Sequence, residues 1–173
     1  MSEQAPIFLV GPMGAGKTTI GRHLARLLGR SFVDLDQEIE QSCGADIAWI
    51  FDVEGEEGFR KRESAMLNQV AGRDNMVIAT GGGVVLDGDN RVQLKRSGTV
   101  VYLSVATKVL YSRMQQDTKR PLLQVGDKKA MIESIVRERE PLYREIADIV
   151  FDGQKKTPTA AAQELAGLIR QQQ

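Results

Sequence analysis

The stretch Gly11-Pro12-Met13-Gly14-Ala15-Gly16-Lys17-Thr18 matches G-x-x-x-x-G-K-[ST], a pattern made for holding phosphate. Glycines at these positions let backbone N–H groups turn toward an anion with no Cβ in the way. A helix starting near Lys17 would add unpaired donors and the positive end of its dipole. Lys17 offers a point charge to the β- and γ-phosphates, and Thr18 a hydroxyl to Mg2+. A dinucleotide fingerprint is the rival: Gly14-Ala15-Gly16 could open it, and Asp36 stands twenty residues after Gly16, near the place of a ribose-binding acid. Thr19 occupies the position of its third glycine, and the Lys-Thr pair has no work in that fold. The dinucleotide reading is therefore rejected.

A phosphate loop serves kinases, GTPases and motor ATPases alike. The base-reading tetrad Asn-Lys-x-Asp of GTPases is absent; Asp52-Val53-Glu54-Gly55 fits D-x-x-G but falls in a helical stretch rather than at a strand end. No long apolar strand ends in Asp-Glu, as a motor ATPase would need. A small chain points instead to a nucleotide-dependent kinase of small molecules. Asp34 and Asp36 close the run Val33-Asp34-Leu35-Asp36, and strand alternation would send both to one side near its carboxyl end. One could complete a Mg2+ shell while the other orients an acceptor hydroxyl and takes its proton. The plainer reading is a pair of carboxylates capping the next helix. Thr80-Gly81-Gly82-Gly83 is either a simple turn or a place where a bound acceptor approaches the backbone closely. Arg60 and Arg139, each an ordinary surface charge alone, would together make a fork for a carboxylate, which planar guanidinium suits better than an ammonium.

Alternating strands and helices must position these groups. Ile7–Val10, Ser31–Asp36, Met76–Thr80, Val100–Ser104 and Ile149–Phe151 read as strands. Helical spacing runs over Lys17–Leu28, with Gly29 as a stop, through Ile47, Ile50 and Phe51, over Glu56–Val70, and over a stretch ending near Gly98. Thr107–Met114, Lys129–Ala147 and Thr159–Arg170 complete the set. Such alternation implies right-handed crossovers and a mostly parallel sheet covered on both faces, with ligands at the carboxyl ends of its strands. Gln115–Lys128 is polar, holds Pro121 and Gly126, and lacks periodicity, as a lid or a plain surface loop would.

Length and composition set the outer limits. The chain has 173 residues, 42% of them apolar, about one domain at ~150 residues each. Its longest unbroken apolar run, Ile47–Phe51, has five residues, whereas a spanning helix needs ~20. The first residues lack a positive segment followed by a long apolar stretch, so no secretory signal is expected. Twenty-three basic residues balance 23 acidic ones, which argues against a wide nucleic-acid face. A local basic bias, Lys119, Arg120, Lys128, Lys129, Arg137, Arg139 and Arg144, suits a small anion or a solvated helix face. The lone Cys43 allows no internal disulfide, and a reducing cytoplasm is the expectation. His23, Cys43, Trp49 and Phe51 read as structural, with Trp49 and Phe51 near enough to Arg60 to wall an acceptor pocket.

Taken together, G-P-M-G-A-G-K-T-T-I-G-R (11–22), D-L-D (34–36), I-F-D-V-E-G-E-E-G-F-R-K-R-E (50–63), A-T-G-G-G (79–83), K-R-P-L-L (119–123) and R-E-P-L-Y (139–143) resemble the shikimate kinase family in content and order. The resemblance implies ATP-dependent, Mg2+-requiring phosphorylation of the 3-hydroxyl of shikimate, on the route to chorismate and aromatic amino acids. It implies a single nucleoside-monophosphate-kinase-like α/β domain over 1–173. The sheet would be parallel and five-stranded in order 2-3-1-4-5, with an acceptor-binding region at about 34–62 and a lid at about 115–128. Gly14, Ala15, Gly16, Lys17, Thr18 and Thr19 would hold the ATP phosphates, and Thr18 with Asp34 would serve Mg2+. Asp36, Arg60, Gly81, Gly82, Gly83 and Arg139 would bind shikimate, and Lys17, Asp36 and Arg120 would carry the catalysis. Arg120 matches the family's lid arginine, and Arg113 a residue lying against the adenine. The stretch from Phe151 to Pro158, which should also touch the adenine, matches weakly, with Lys156 as the assigned contact. Thr18 replaces the commoner serine and keeps its hydroxyl. A monomer is expected. A related kinase of another hydroxy acid such as gluconate, and a nucleotide-regulated binding protein without turnover, are the alternatives.

Overall fold

Phe8 and Val10 face one way and Ile7 and Leu9 the other, and all four are fully buried. A strand buried on both faces belongs in the middle of a parallel sheet. A computed structural model of the chain, describing residues 4–115 and 127–173, places it there. Strands β1 (Ile7–Val10), β2 (Ser31–Asp34), β3 (Met76–Ala79), β4 (Thr99–Ser104) and β5 (Ile149–Asp152) form a five-stranded sheet in the order β2-β3-β1-β4-β5. Every neighbouring pair is parallel. This is the expected architecture.

Helices cover both faces. Under Phe8 and Val10 lie Ile39 of α2 (Leu35–Cys43), Ile50 and Leu67 of α3 (Ile47–Val70), Leu94 of α4 (Gly88–Ser97) and Tyr143 of α6 (Lys128–Ile146). Under Ile7 and Leu9 lie Ile20 and Leu24 of α1 (Lys17–Leu28) and Leu165 and Ile169 of α7 (Pro158–Gln172). Leu110 and Met114 of α5 (Thr107–Met114) meet Ile132 of α6 in a smaller cluster. Among the described residues no helix is long and apolar enough to cross a membrane.

Two local differences from the sequence reading bear on function. The second strand does not run to Asp36. It stops at Asp34, whose side chain accepts a hydrogen bond from Gln37 N and so caps α2, leaving Asp36 in that helix's first turn. Helix α2 itself is absent from the sequence reading, although Leu35, Ile39 and Cys43 recur at its spacing. The two helical stretches read around 47–51 and 56–70 are joined as α3, with one non-helical residue, Gly55 (φ 72°, ψ 179°), between them. Of the lid expected over 115–128, residues 116–126, Arg120 among them, lie outside the described residues, and Lys128 already begins α6.

Candidate active site

The phosphate loop joins β1 to α1 and reverses sharply by way of Gly14 (φ 80°) and Gly16 (φ 95°), left-handed conformations that glycine adopts without strain. Gly16 is the N-cap of α1 and brings no side-chain acceptor, so the helix's first N–H groups stay available to an anion. Lys17 folds back along the loop, its Nζ donating to Gly11 O at 2.5 Å and Pro12 O at 2.9 Å. Thr18 Oγ1 donates to Asp34 Oδ2 at 2.5 Å, tying the loop to the end of β2.

Two cavities open on this loop. The first, about 460 Å³, lies at the carboxyl ends of β1 and β4 and beside the chain after β5; its wall includes Gly14 to Ile20, Arg113, Gln154 and Lys156. Arg113 Nη1 donates to Gly14 O at 2.8 Å. Gln154 Oε1 accepts from Ala106 N, joining the two loops that close this end. Lys156 lies on the rim with its ammonium 3.2 Å from Glu164. Both residues assigned to the adenine thus reach the cavity that holds the phosphate loop.

The second cavity, about 750 Å³, lies on the other side of Lys17 and Thr18, which line both. Asp34, Asp36, Arg60, Glu63, Gly81 to Gly83 and Arg139 converge on it from four separate segments. Arg139, 5% exposed, comes from α6. Its helix neighbours Arg137 and Arg144 are exposed, so of these three arginines of α6 only Arg139 points inward. Arg60 Nη1 donates to Glu63 Oε1 at 2.9 Å, and the Arg60 guanidinium lies 5.2 Å from the Phe59 ring. Glu63 is 1% exposed. Burial pushes its carboxyl above the ordinary range, against the pull of the Arg60 cation. Arg60 Nε, Glu63 Oε2 and Arg139 Nε are buried with no hydrogen-bond partner among the described residues, an arrangement suited to a charged ligand.

Two of the three glycines leave room for these neighbours. A Cβ on Gly81 would stand 2.7 Å from Glu63 Oε2 and 3.1 Å from Asp36 Oδ1, and one on Gly83 would stand 2.5 Å from Arg60 Cζ. The space that side chains would fill is already taken by the site's own charged groups. Tyr143, 1% exposed, donates its hydroxyl to Gly82 O at 2.5 Å and stacks on Tyr102 with ring centroids 5.1 Å apart. Burial keeps that phenol protonated.

The shikimate kinase family model matches residues 13–170. The chain belongs to the shikimate kinase family. A shikimate kinase of Histophilus somni is 50% identical over 170 residues, covering 98% of this chain and 97% of that one. One of Pasteurella multocida is 51% identical over 170 residues, again at 98% and 97% coverage. Among solved structures, the shikimate kinase from Acinetobacter baumannii in complex with shikimate superposes with a TM-score of 0.96. It has 46% identity and covers 99% of this chain and 96% of that one.

The shikimate kinase motifs do not by themselves single out Glu63, which lines the second cavity, or Tyr143, which supports its glycine shelf from behind. Glu63 follows Arg60 by one helical turn, a spacing that could have flagged it, but only its burial shows that the pair is a unit. Tyr143 stands four residues after Arg139 and shares its face of α6, whereas its bond to Gly82 spans 61 positions. Phe51 does wall the cavity; Trp49 does not, and is 49% exposed. His23 and Cys43 are half-buried and lie outside both cavities.

Proposed function

We propose that this chain transfers the γ-phosphoryl group of ATP to the 3-hydroxyl of shikimate. The observation that carries the reading is the meeting of two cavities at Lys17 and Thr18: one bears a phosphate loop, the other a buried arginine, Arg139, a half-buried one, Arg60, and a carboxylate pair. A triphosphate tail laid along the loop would end where a molecule in the second cavity begins, which is the alignment that phosphoryl transfer requires.

Each residue then has a defined task. The amides of Gly14 to Thr19 and the Lys17 ammonium bind the phosphates and compensate the charge that builds on them. Arg60 and Arg139 grip the acceptor's carboxylate, and the shelf of Gly81, Gly82 and Gly83 carries its ring. Asp36 accepts the proton of the attacking hydroxyl as that oxygen bonds to the γ-phosphorus and the bond to the β-phosphate oxygen breaks, releasing ADP. Thr18 Oγ1 and the Asp34 carboxylate are hard oxygen donors in contact beside the loop, a set that fits Mg2+ completed by phosphate oxygens and water. Mg2+ held there would offset phosphate charge. Arg113 and Lys156 flank the nucleotide. Arg120 belongs to the reading by motif alone. A monomer is the expected state, and the lone cysteine accords with a reducing cytoplasm.

The test is ADP release by the purified chain with Mg2+ and ATP, with shikimate or gluconate as acceptor. Shikimate-dependent ADP and shikimate 3-phosphate are expected. ADP release stimulated by gluconate instead would overturn the acceptor assignment. Thermal stabilisation by ATP without turnover on either acceptor would mark a binding protein.

A further inference from the structure

Helix α3 turns a corner. At φ 72° and ψ 179°, Gly55 stands outside helical space, in a region that only glycine occupies readily, so 47–54 and 56–70 are two arms. The first arm puts Ile47, Ala48 and Phe51 on the wall of the acceptor cavity; the second carries Arg60 and Glu63 into it. The angle at Gly55 therefore sets the distance from that wall to the Arg60 fork. Glycine brings no side chain to hold the angle, and nothing lies within 4 Å of where its Cβ would stand.

Three contacts bridge the corner. Phe51 and Phe59 pack at 4.8 Å between ring centroids. Glu54 Cβ sits over Gly58, where an added Cβ would come within 2.5 Å of it, so the missing side chain lets the arms close. Outside these, Arg62 Nε donates to Glu54 Oε2 at 2.8 Å and Nη2 to Glu54 Oε1 at 2.6 Å, a two-bond fork. The Arg62 bond holds the Glu54 carboxyl below its ordinary range, so the pair stays ionic near neutrality. Neither residue lines either cavity.

We propose that Glu54 and Arg62 are positioning residues whose fork straps the corner at Gly55 and so sets the affinity for the acceptor without touching it. The proposal rests on the reading that the second cavity takes the acceptor. An exposed pair serving only as a surface staple would move stability and leave substrate constants alone. A strap across the cavity wall moves the acceptor's KM and leaves kcat and the ATP KM alone.

The experiment compares the parent with Glu54→Ala, Arg62→Ala, the double variant, Arg62→Lys and Gly58→Ala, measuring kcat, both KM values, the shikimate Kd and Tm. Each alanine variant at the pair should raise the shikimate KM and Kd about three- to fivefold, the factor expected of a well-formed exposed pair. The double variant should match the single ones, because each already breaks the same fork. Arg62→Lys should fall between, since an ammonium cannot make both bonds. Gly58→Ala should raise the same constant with the charges intact, by wedging the arms apart. Unchanged shikimate constants, additive effects in the double variant, or an equal rise in the ATP KM would each overturn the strap. A parent that phosphorylates shikimate beside variants indistinguishable from it sinks the strap alone. A parent that neither binds nor phosphorylates shikimate sinks the function reading and the strap together.

Discussion

Replacing Gly83 by alanine displaces the Arg60 guanidinium while leaving its charge, its helix and its partner Glu63 in place. Gly83 has φ −98° and ψ 6°, a conformation open to any residue, so the backbone should accept the change. The new methyl would stand 2.5 Å from Arg60 Cζ and Nη1. An ordinary contact begins near 3.4 Å, so the fork must retreat by about 0.9 Å. It can do so, being the end of a flexible side chain that is 21% exposed. A retreat of that size breaks the two-bond geometry with an acceptor carboxylate. Hydrogen bonds to charged groups contribute about 1.5–3 kcal/mol, so the shikimate KM should rise about 10- to 150-fold. On the proposed reading ATP binds in the other cavity, and its KM should stay within about twofold. Stability should hold, because glycine-to-alanine changes at permissive positions gain about 0.4–1 kcal/mol from the unfolded state. A coupled ADP-release assay with each substrate varied in turn, beside a thermal melt, gives all three numbers. A shikimate KM within twofold of the parent would show that Arg60 does not grip the acceptor. An equal rise in the ATP KM would show that the two cavities are not separate sites.

Three further substitutions probe other parts of the site. Asp34→Ala removes the α2 cap and, on the proposed reading, a magnesium oxygen, so it should cost about 1 kcal/mol, or about 2–4 °C in Tm, and lower turnover. Asp34→Asn keeps the cap and should lower turnover at nearly parental Tm; parental turnover in Asp34→Asn would remove that carboxylate from the chemistry. Tyr143→Phe leaves Gly82 O without its donor and should cost about 1–3 kcal/mol in a urea titration while raising the shikimate KM; an unchanged midpoint would contradict the role given to that bond. Glu63 binds its proton more tightly folded than unfolded, so its contribution to stability is fully present below the unfolded pKa of ~4.3 and is lost as pH rises through the higher folded value. Glu63→Gln should therefore gain in urea midpoint relative to the parent between pH 4 and pH 8, while its shikimate KM rises because Arg60 loses its anchor. A gap that is flat or reversed with pH would refute the burial account.

How much of the site could be read in advance follows from how local each requirement is. The phosphate loop is contiguous, and its glycines, lysine and threonine must stand at fixed offsets, so those residues declared themselves along with the strand before them and the helix after. The sheet order followed from the family resemblance, and the alternation of elements from hydrophobic period. The end of β2 was misjudged because alternation continues smoothly through Leu35. What halts the strand is a cap made by Asp34, and either conformation suits those four residues locally. Asp34 both caps a helix and meets Thr18.

Other features depend on groups far apart in the chain. That a side chain at Gly81 or Gly83 would crowd the site is decided by Glu63, Asp36 and Arg60 arriving from two other helices. That Arg139 is a site residue while Arg137 and Arg144 are solvent charges is decided by which face of α6 the sheet covers. Composition and spacing can name the chemistry a chain carries, because bonds along the backbone fix those offsets. They cannot say which charges lose their water, because burial is settled only when distant elements pack, and it is burial that turns Arg60, Glu63 and Arg139 from ordinary surface ions into a binding site.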